Sequence, residues 1–259
     1  MRALPTPSGE VFPAPGVPVQ WPPVRDYVTV PVDLLLPIKP LARAKTRLRV
    51  PAHHGKADPA AHAQLVIALA RDTIAAAAGA SLVRRAVAIC SDRMVCRVLA
   101  QDGIETVADE PGAGLNCALR YGEILLRSAD PTTAVGAMPA DLPALRPSEL
   151  DRAVRDALAT GGRAFCADQA GTGTTLLLAL PGHPLDPRFG PGSAQEHRAS
   201  GARPLTGRWP GLRCDVDTAA DLARARELGL GHFTHTALHE HPARISLCGK
   251  STVYPSDIA

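Results

Sequence analysis

Aromatic side chains are scarce in this sequence, with four Phe, three Tyr and two Trp among 259 residues. A core without large rings must be filled mainly by Ala, Leu and Val, which suits helices lying close against a sheet. The same scarcity removes the stacking platforms that hold single-stranded nucleic acid. Excess charge of one sign is also missing. The formal net charge is +3, too small to argue for a nucleic-acid partner. No apolar run approaches the roughly 20 residues of a membrane span, and the first residues lack the basic-then-apolar pattern of a secretory leader. Six cysteines occur (Cys90, Cys96, Cys117, Cys166, Cys214 and Cys248), none spaced as C-x-x-C. Most sit in apolar runs, where a thiol behaves as a small hydrophobe. A cytoplasmic protein with reduced thiols is expected. Neither G-x-S-x-G nor G-x-x-x-x-G-K-[ST] is present, which weighs against a serine hydrolase and a P-loop ATPase.

What is present starts with Val32 to Leu48, VDLLLPIKPLARAKTRL. Leu34 to Ile38 is a short apolar run broken only by Pro37, and reads as a buried strand. Lys39, Arg43, Lys45 and Arg47 then follow with no acid among them. In an open α/β sheet, ligands bind beyond the carboxyl ends of the strands. Four cations there suit a polyphosphate.

Residues 1–25 are proline-rich and read as a disordered or loosely docked arm. From there to residue 231 strands alternate with helices. Strands are expected at Arg85–Cys90, Ile104–Ala108, Ala134–Met138, Arg163–Ala167, Thr174–Leu180 and Leu212–Asp217. Helices are expected at Ala60–Ala78, Arg93–Gln101, Leu115–Ser128, Pro147–Leu158 and Thr218–Leu228, with a short one opening at Ser193. The alternation predicts an α/β fold: a mostly parallel central sheet with helices on both faces. Lys39, Asp92, Asp109, Asp141 and Asp168 then share the rim at the strands' carboxyl ends. Residues 232–259 lose periodicity and read as a tail. Its histidines, His232, His235, His239 and His241, lack the support a metal site needs.

Asp215 and Asp217 stand two apart on an expected strand end, so both carboxylates face one way. Two carboxylates on one face repel unless a cation or proton joins them. Asp141 can join the same cation from another strand. Oxygen donors of this kind, completed by water and substrate phosphate, suit magnesium. Asp217 also precedes Thr218 and a helix, where an Asp serves as a cap. The runs GTGTT (Gly171–Thr175) and FGPGS (Phe189–Ser193) read as small-anion cradles, because glycine lets backbone N–H groups approach a phosphate. Ser193 opens a helix, with Glu196 in capping-box spacing. Asn116, in GAGLN, is placed to bond a base edge or ribose, or to cap its helix. His197, one turn into the Ser193 helix, is placed to lean toward a phosphate but reads rather as a solvated histidine.

Five stretches occur in fixed order: PIKPLARAKTRL, ADLPAL, GTGTTLLL, FGPGSAQEH and LRCDVDTAADL. Together they closely resemble the guanylyltransferases of coenzyme F420 biosynthesis, the 2-phospho-L-lactate or phosphoenolpyruvate guanylyltransferase family. The resemblance spans roughly Asp33 to Gly231. It implies a Rossmann-like nucleotidyltransferase fold over residues 26–231. It also implies transfer of GMP from GTP to a phosphorylated three-carbon acid, phosphoenolpyruvate in the actinobacterial enzymes, with release of pyrophosphate. On this resemblance Asp141 and Asp215 look like the magnesium-binding carboxylates. Thr174, Gly190 and Ser193 match positions that hold phosphoenolpyruvate, and Lys39, Lys45 and Arg47 resemble the basic nucleotide loop. Ala140 stands where the family more often has glycine, and the arm and tail are extra. The alternatives are a nucleotidyltransferase with another acceptor (2-phospholactate, 3-phosphoglycerate, molybdopterin or a sugar phosphate) and a non-catalytic nucleotide-binding protein.

Overall fold

A computed structural model describes residues 30–41, 48, 58–109 and 113–240. The proline-rich arm, Arg43, Lys45, Arg47, Gly112 and His241 lie outside these. Seven strands form one sheet: β1 (Val32–Ile38), β2 (Val83–Cys90), β3 (Glu105–Val107), β4 (Ala134–Ala137), β5 (Arg163–Ala167), β6 (Thr174–Ala179) and β7 (Arg203–Pro204). The helices are α1 (Pro59–Ala78), α2 (Arg93–Gln101), α3 (Leu115–Ala129), α4 (Pro147–Thr160), α5 (Ser193–Ala199), α6 (Pro210–Arg213), α7 (Ala219–Leu228) and α8 (His232–Glu240).

The strand order is β3-β2-β1-β4-β6-β5-β7. β1, β2, β3 and β4 run parallel. Pro37 is tolerated in this central strand because β4 pairs only with Val32–Leu35 of β1. Its missing N–H therefore faces no partner on that side. β6 runs antiparallel to both β4 and β5. The connection from β5 is a short loop from Asp168 to Gly173, and a parallel crossover needs a dozen residues or more. This one reversal moves the start of β6 to the rim where its parallel neighbours end.

Side chains alternate across β1. Leu34, Leu36 and Ile38 pack with Ala70 and Ile74 of α1, Val95 of α2 and Val154 of α4. Leu35 points to the other face, with Leu119 and Leu126 of α3 and Ala194 of α5. Helices therefore cover both faces of a mostly parallel sheet, as the α/β alternation requires.

Two expectations need correction. Leu212–Asp217 is not a strand. Pro210 starts the short helix α6, which takes up Leu212 and Arg213. The residues after it meet their neighbour through a single backbone bond, Val216 N–H to the Asp141 carbonyl at 3.1 Å. The alternation survives without a ladder, with Cys214 and Val216 buried and Asp215 and Asp217 less so. The tail expected from residue 232 opens instead as helix α8, docked on α1. Its cap comes from far along the chain: the Asp72 carboxylate accepts from Phe233 N at 3.0 Å and Thr234 N at 2.7 Å. The Arg71 guanidinium lies 3.7 Å over the Phe233 ring, a cation–π contact. Gly231 permits the approach, since a Cβ there would meet the Asp72 carboxylate at 2.3 Å.

Candidate active site

β1 has β2 on one side and β4 on the other, so the connections leave it in opposite directions. A crevice outside the carboxyl ends at such a switch point is where ligands bind in open α/β sheets. A pocket of about 150 Å³ occupies that place, lined by Lys39, Leu115, Ala140, Asp141, Phe189 and Asp217 among others. Lys39 follows β1 and Asp141 follows β4. Lys45 and Arg47 lie outside the described residues.

Not every rim aspartate serves the pocket. The Asp92 carboxylate caps α2 through Met94 N and Val95 N, and also accepts from Leu41 N at 3.3 Å. It thereby ties down the start of the basic loop. Asp168 accepts from Thr172 N and Gly173 N, each at 2.9 Å, and so holds the β5–β6 connection closed. Asp109 follows β3, two strands away from β1.

Asp141, Asp215 and Asp217 do come together. The bond from Val216 N to Asp141 O sets the register, which brings the two acids flanking Val216 beside Asp141. Burial first, then the Asp141 and Asp217 charges, push the Asp215 carboxyl up to about 7. Thr218 is the N-cap of α7, and Asp221 completes a capping box with it. The cap expected of Asp217 is thus made by its neighbour. Among the described residues no three His, Cys, Asp or Glu side chains form a ready-made metal cage. Crowded carboxylates without a complete cage still fit magnesium, which takes one or two carboxylates and fills its shell with water and substrate phosphate.

A second cluster, of neutral groups, lies on the same rim at the start of β6. Thr174, carried to the rim by the reversal of β6, is buried. Its Oγ1 lies 2.9 Å from His197 Nδ1 and 3.1 Å from Ser193 Oγ. The expected capping box between Ser193 and Glu196 does not form. The N-cap of α5 is Gly192, in the left-handed conformation at φ 74° and ψ 13°, which glycine adopts without strain. Ser193 is then the first helical residue and turns its hydroxyl inward to Thr174. The Gly190 carbonyl accepts from Ser193 N at 3.1 Å.

His197 is not solvated. It is fully buried, with the Phe165 and Phe189 ring centroids 5.9 and 5.2 Å away. Its Nε2 accepts from Arg188 N at 3.0 Å. Burial, then the Arg163 charge, with Arg188 adding to it and Asp186 opposing, lower its pKa to about 4. Asn116 does not cap its helix, whose N-cap is Gly114 without a side-chain bond, and its carboxamide is engaged elsewhere. Its Oδ1 accepts from Phe189 N at 2.8 Å and its Nδ2 donates to Phe189 O at 3.0 Å. The carboxamide therefore clips the Phe189 loop to the first turn of α3. His197 could have been found in the sequence: it stands four residues after Ser193, on the same helical face.

No protein-family model matches the chain. A solved structure from Desulfovibrio desulfuricans G20, assigned as a nucleotide-diphospho-sugar transferase, superposes with a TM-score of 0.58 at 19% identity. It covers 83% of this chain and 96% of its own, a likeness of fold: the two share a Rossmann-like α/β architecture. Among sequences, a phosphoenolpyruvate guanylyltransferase of Streptomyces scabiei (strain 87.22) is 49% identical over 209 residues, 79% of this chain and 94% of that protein. Another, from Thermomonospora curvata, is 46% identical over 212 residues, 82% of this chain and 90% of that protein. Identity at this level over nearly the full length of both relatives makes this chain a member of the phosphoenolpyruvate guanylyltransferase family.

Proposed function

We propose that this chain transfers GMP from GTP to phosphoenolpyruvate and releases pyrophosphate, as a cytoplasmic step of coenzyme F420 biosynthesis. No described helix is long and apolar enough to cross a membrane. The observation that carries the proposal is the presence of two unlike clusters at one rim of the sheet. Crowded carboxylates at Asp141, Asp215 and Asp217 gather beyond the end of β4, the buried hydroxyls of Thr174 and Ser193 lie at the start of the neighbouring β6, and Lys39 follows β1 on the other side of β4. Donor and acceptor phosphates need both kinds of cluster.

In the reaction, an oxygen of the phosphoenolpyruvate phosphate attacks the α-phosphorus of GTP in line. The new P–O bond forms as the bond to the β-phosphate oxygen breaks, and pyrophosphate leaves with the electron pair. The attacking oxygen is already ionised, so no general base is needed. Lys39, with Lys45 and Arg47 of the basic loop, neutralises the triphosphate and the leaving group. Thr174, Gly190 and Ser193 orient the acceptor. Asp141 and Asp215, with Asp217 beside them, would hold magnesium. When bound, magnesium supplies positive charge against the phosphate oxygens. Asn116 acts by holding the Phe189 loop against the pocket.

The test is pyrophosphate release by the purified chain with GTP or ATP. Phosphoenolpyruvate, 2-phospholactate, 3-phosphoglycerate and a sugar 1-phosphate would be compared as acceptors. Release that requires both GTP and phosphoenolpyruvate is the expected result. Faster release with the sugar phosphate, or nucleotide binding without release under every condition, would overturn it.

A further inference from the structure

We propose that His197 is a positioning residue that fixes the direction of the hydroxyl hydrogens of Thr174 and Ser193, so that one of them is always left to donate to the acceptor anion. This rests on the assignment of Thr174 and Ser193 to the acceptor above.

The derivation is a count of hydrogens. Arg188 N is a backbone amide and can only donate. It lies 3.0 Å from His197 Nε2, so Nε2 must present its lone pair. A neutral imidazole with a bare Nε2 carries its hydrogen on Nδ1. That hydrogen points at Thr174 Oγ1, 2.9 Å away, and the threonine hydroxyl must accept it. Thr174 and Ser193 then share one contact of 3.1 Å, which uses one of their two hydroxyl hydrogens. Whichever hydroxyl donates within the pair, the hydrogen of the other remains, and among the described residues no partner takes it. The opposite tautomer gives a different count. With hydrogen on Nε2, Nδ1 would accept from Thr174, Thr174 from Ser193, and no donor would be left.

Position and burial agree. The pair lies at the rim, on the first residues of β6 and α5, and both residues are buried. A buried donor that lacks a partner is costly, so an anion that accepts it is held the more tightly. His197 cannot act as a base here. Its one lone pair is engaged by Arg188, and Arg163 and Arg188 oppose a second proton. The groups facing it are those two arginines, Asp186, the Thr174 hydroxyl and the two phenylalanine rings. The ring therefore transmits the polarity of one backbone amide to the ligand. It also joins Arg188, in the loop before α5, to β6, so the same contact fixes the width of the cradle.

Two measurements test this. The first is ¹⁵N NMR of the imidazole in the intact wild-type protein at neutral pH. The expected spectrum has a protonated Nδ1 and a bare Nε2. A protonated Nε2 overturns the proposal, whatever the enzyme does. The second uses His197→Phe, which keeps a ring in the cavity but removes both nitrogens, beside Thr174→Val and the double variant. Binding of phosphoenolpyruvate and of inorganic phosphate is read by calorimetry, and kinetics are read as separate constants. The expected result is a rise of about 10- to 100-fold in acceptor KM and Kd for each single variant. GTP KM should be unchanged, and the double variant should be little worse than either single one. Unchanged acceptor affinity in His197→Phe, or full additivity with Thr174→Val, overturns it. If the wild type binds these anions without transferring GMP, the proposed function fails while the calorimetric comparison still decides the role of His197. If it binds neither anion, both fall.

Discussion

The two clusters at the rim, an acidic wall beyond β4 and a hydroxyl wall at the start of β6, are built in opposite ways. On the acidic side, burial first and then the charges of Asp141 and Asp217 push the Asp215 carboxyl up to about 7. On the hydroxyl side, His197, Thr174 and Ser193 form a buried chain of hydrogen bonds anchored by a backbone amide. The acidic wall repels itself until a cation arrives. The hydroxyl wall is already set. A transferase that brings together two phosphate-bearing molecules benefits from this division. The geometry of the acceptor is fixed in advance, while charge neutralisation arrives with the nucleotide and its ion.

The contrast can be broken from either side. The largest effect is expected on the acidic wall. Asp215→Asn or Asp141→Ala should lower kcat roughly 10³-fold or more, the scale seen when a main electrostatic stabiliser is lost. Acceptor KM should change little, and steady-state kinetics in saturating magnesium check both. The same Asp215→Asn change removes a crowded charge, so in metal-free buffer it should raise the melting temperature slightly. Magnesium should stabilise the wild type, by about 2.7 kcal/mol at a hundred times its Kd, and leave the variant nearly unmoved. Thermal melts with and without the ion decide this. An equal shift in both proteins would remove Asp215 from the site.

A smaller effect is expected where the hydroxyl wall is clipped to α3. Asn116→Ala deletes both bonds to Phe189 and leaves that backbone without its partners, a loss of roughly 1–3 kcal/mol. Denaturant titration measures it. Acceptor KM should rise with it, because Phe189 adjoins Arg188 and hence His197.

The walls should also differ in their response to pH. The His197 imidazole, with an ordinary pKa of 6.5, is held to about 4 in the fold. Between these values the unfolded chain binds the proton more readily. The contribution of His197 to stability is therefore complete above pH 6.5 and declines as pH falls toward 4. Asp215 runs the other way. Its raised pKa contributes stability at low pH that is lost as pH rises through about 7. The two contributions therefore oppose each other over the same range, and stability measured from pH 4 to 7 in metal-free buffer should fall more steeply with rising pH in His197→Phe and rise with pH in Asp215→Asn. Exchanged slopes would mean that the walls have been misassigned.

The smallest effect on catalysis is expected from a site that belongs to neither wall. Asp72→Ala removes the cap of α8 and should cost about 1 kcal/mol of stability. Activity per folded molecule should not change.

The sequence revealed most where a signal is local. Helix α2 runs from Arg93 to Gln101 and β5 from Arg163 to Ala167, as their composition suggested. The capping box at Thr218 and Asp221 is likewise written in neighbouring residues. Several of the failures involve a partner distant in sequence. Nothing near His232 announces α8, because its cap is Asp72. Leu212–Asp217 alternates like a strand, yet its segment borders Asp141 through one backbone bond rather than a ladder. His197 lies among Gln195, Glu196 and Arg198, a polar company that hides a buried ring. The meeting of Asp141 with Asp215 was legible from chemistry and topology together. Asn116 reads in the sequence either as a base or ribose contact or as a cap, because its partner Phe189 lies 73 residues away.

The most direct test of the two-wall account is a crossed kinetic comparison of Asp215→Asn and His197→Phe, with kcat and acceptor KM measured for both in GTP, magnesium and phosphoenolpyruvate. The account predicts that the first variant loses kcat at nearly constant acceptor KM, and that the second raises acceptor KM at nearly constant kcat. Loss of the same constant in both variants would contradict it.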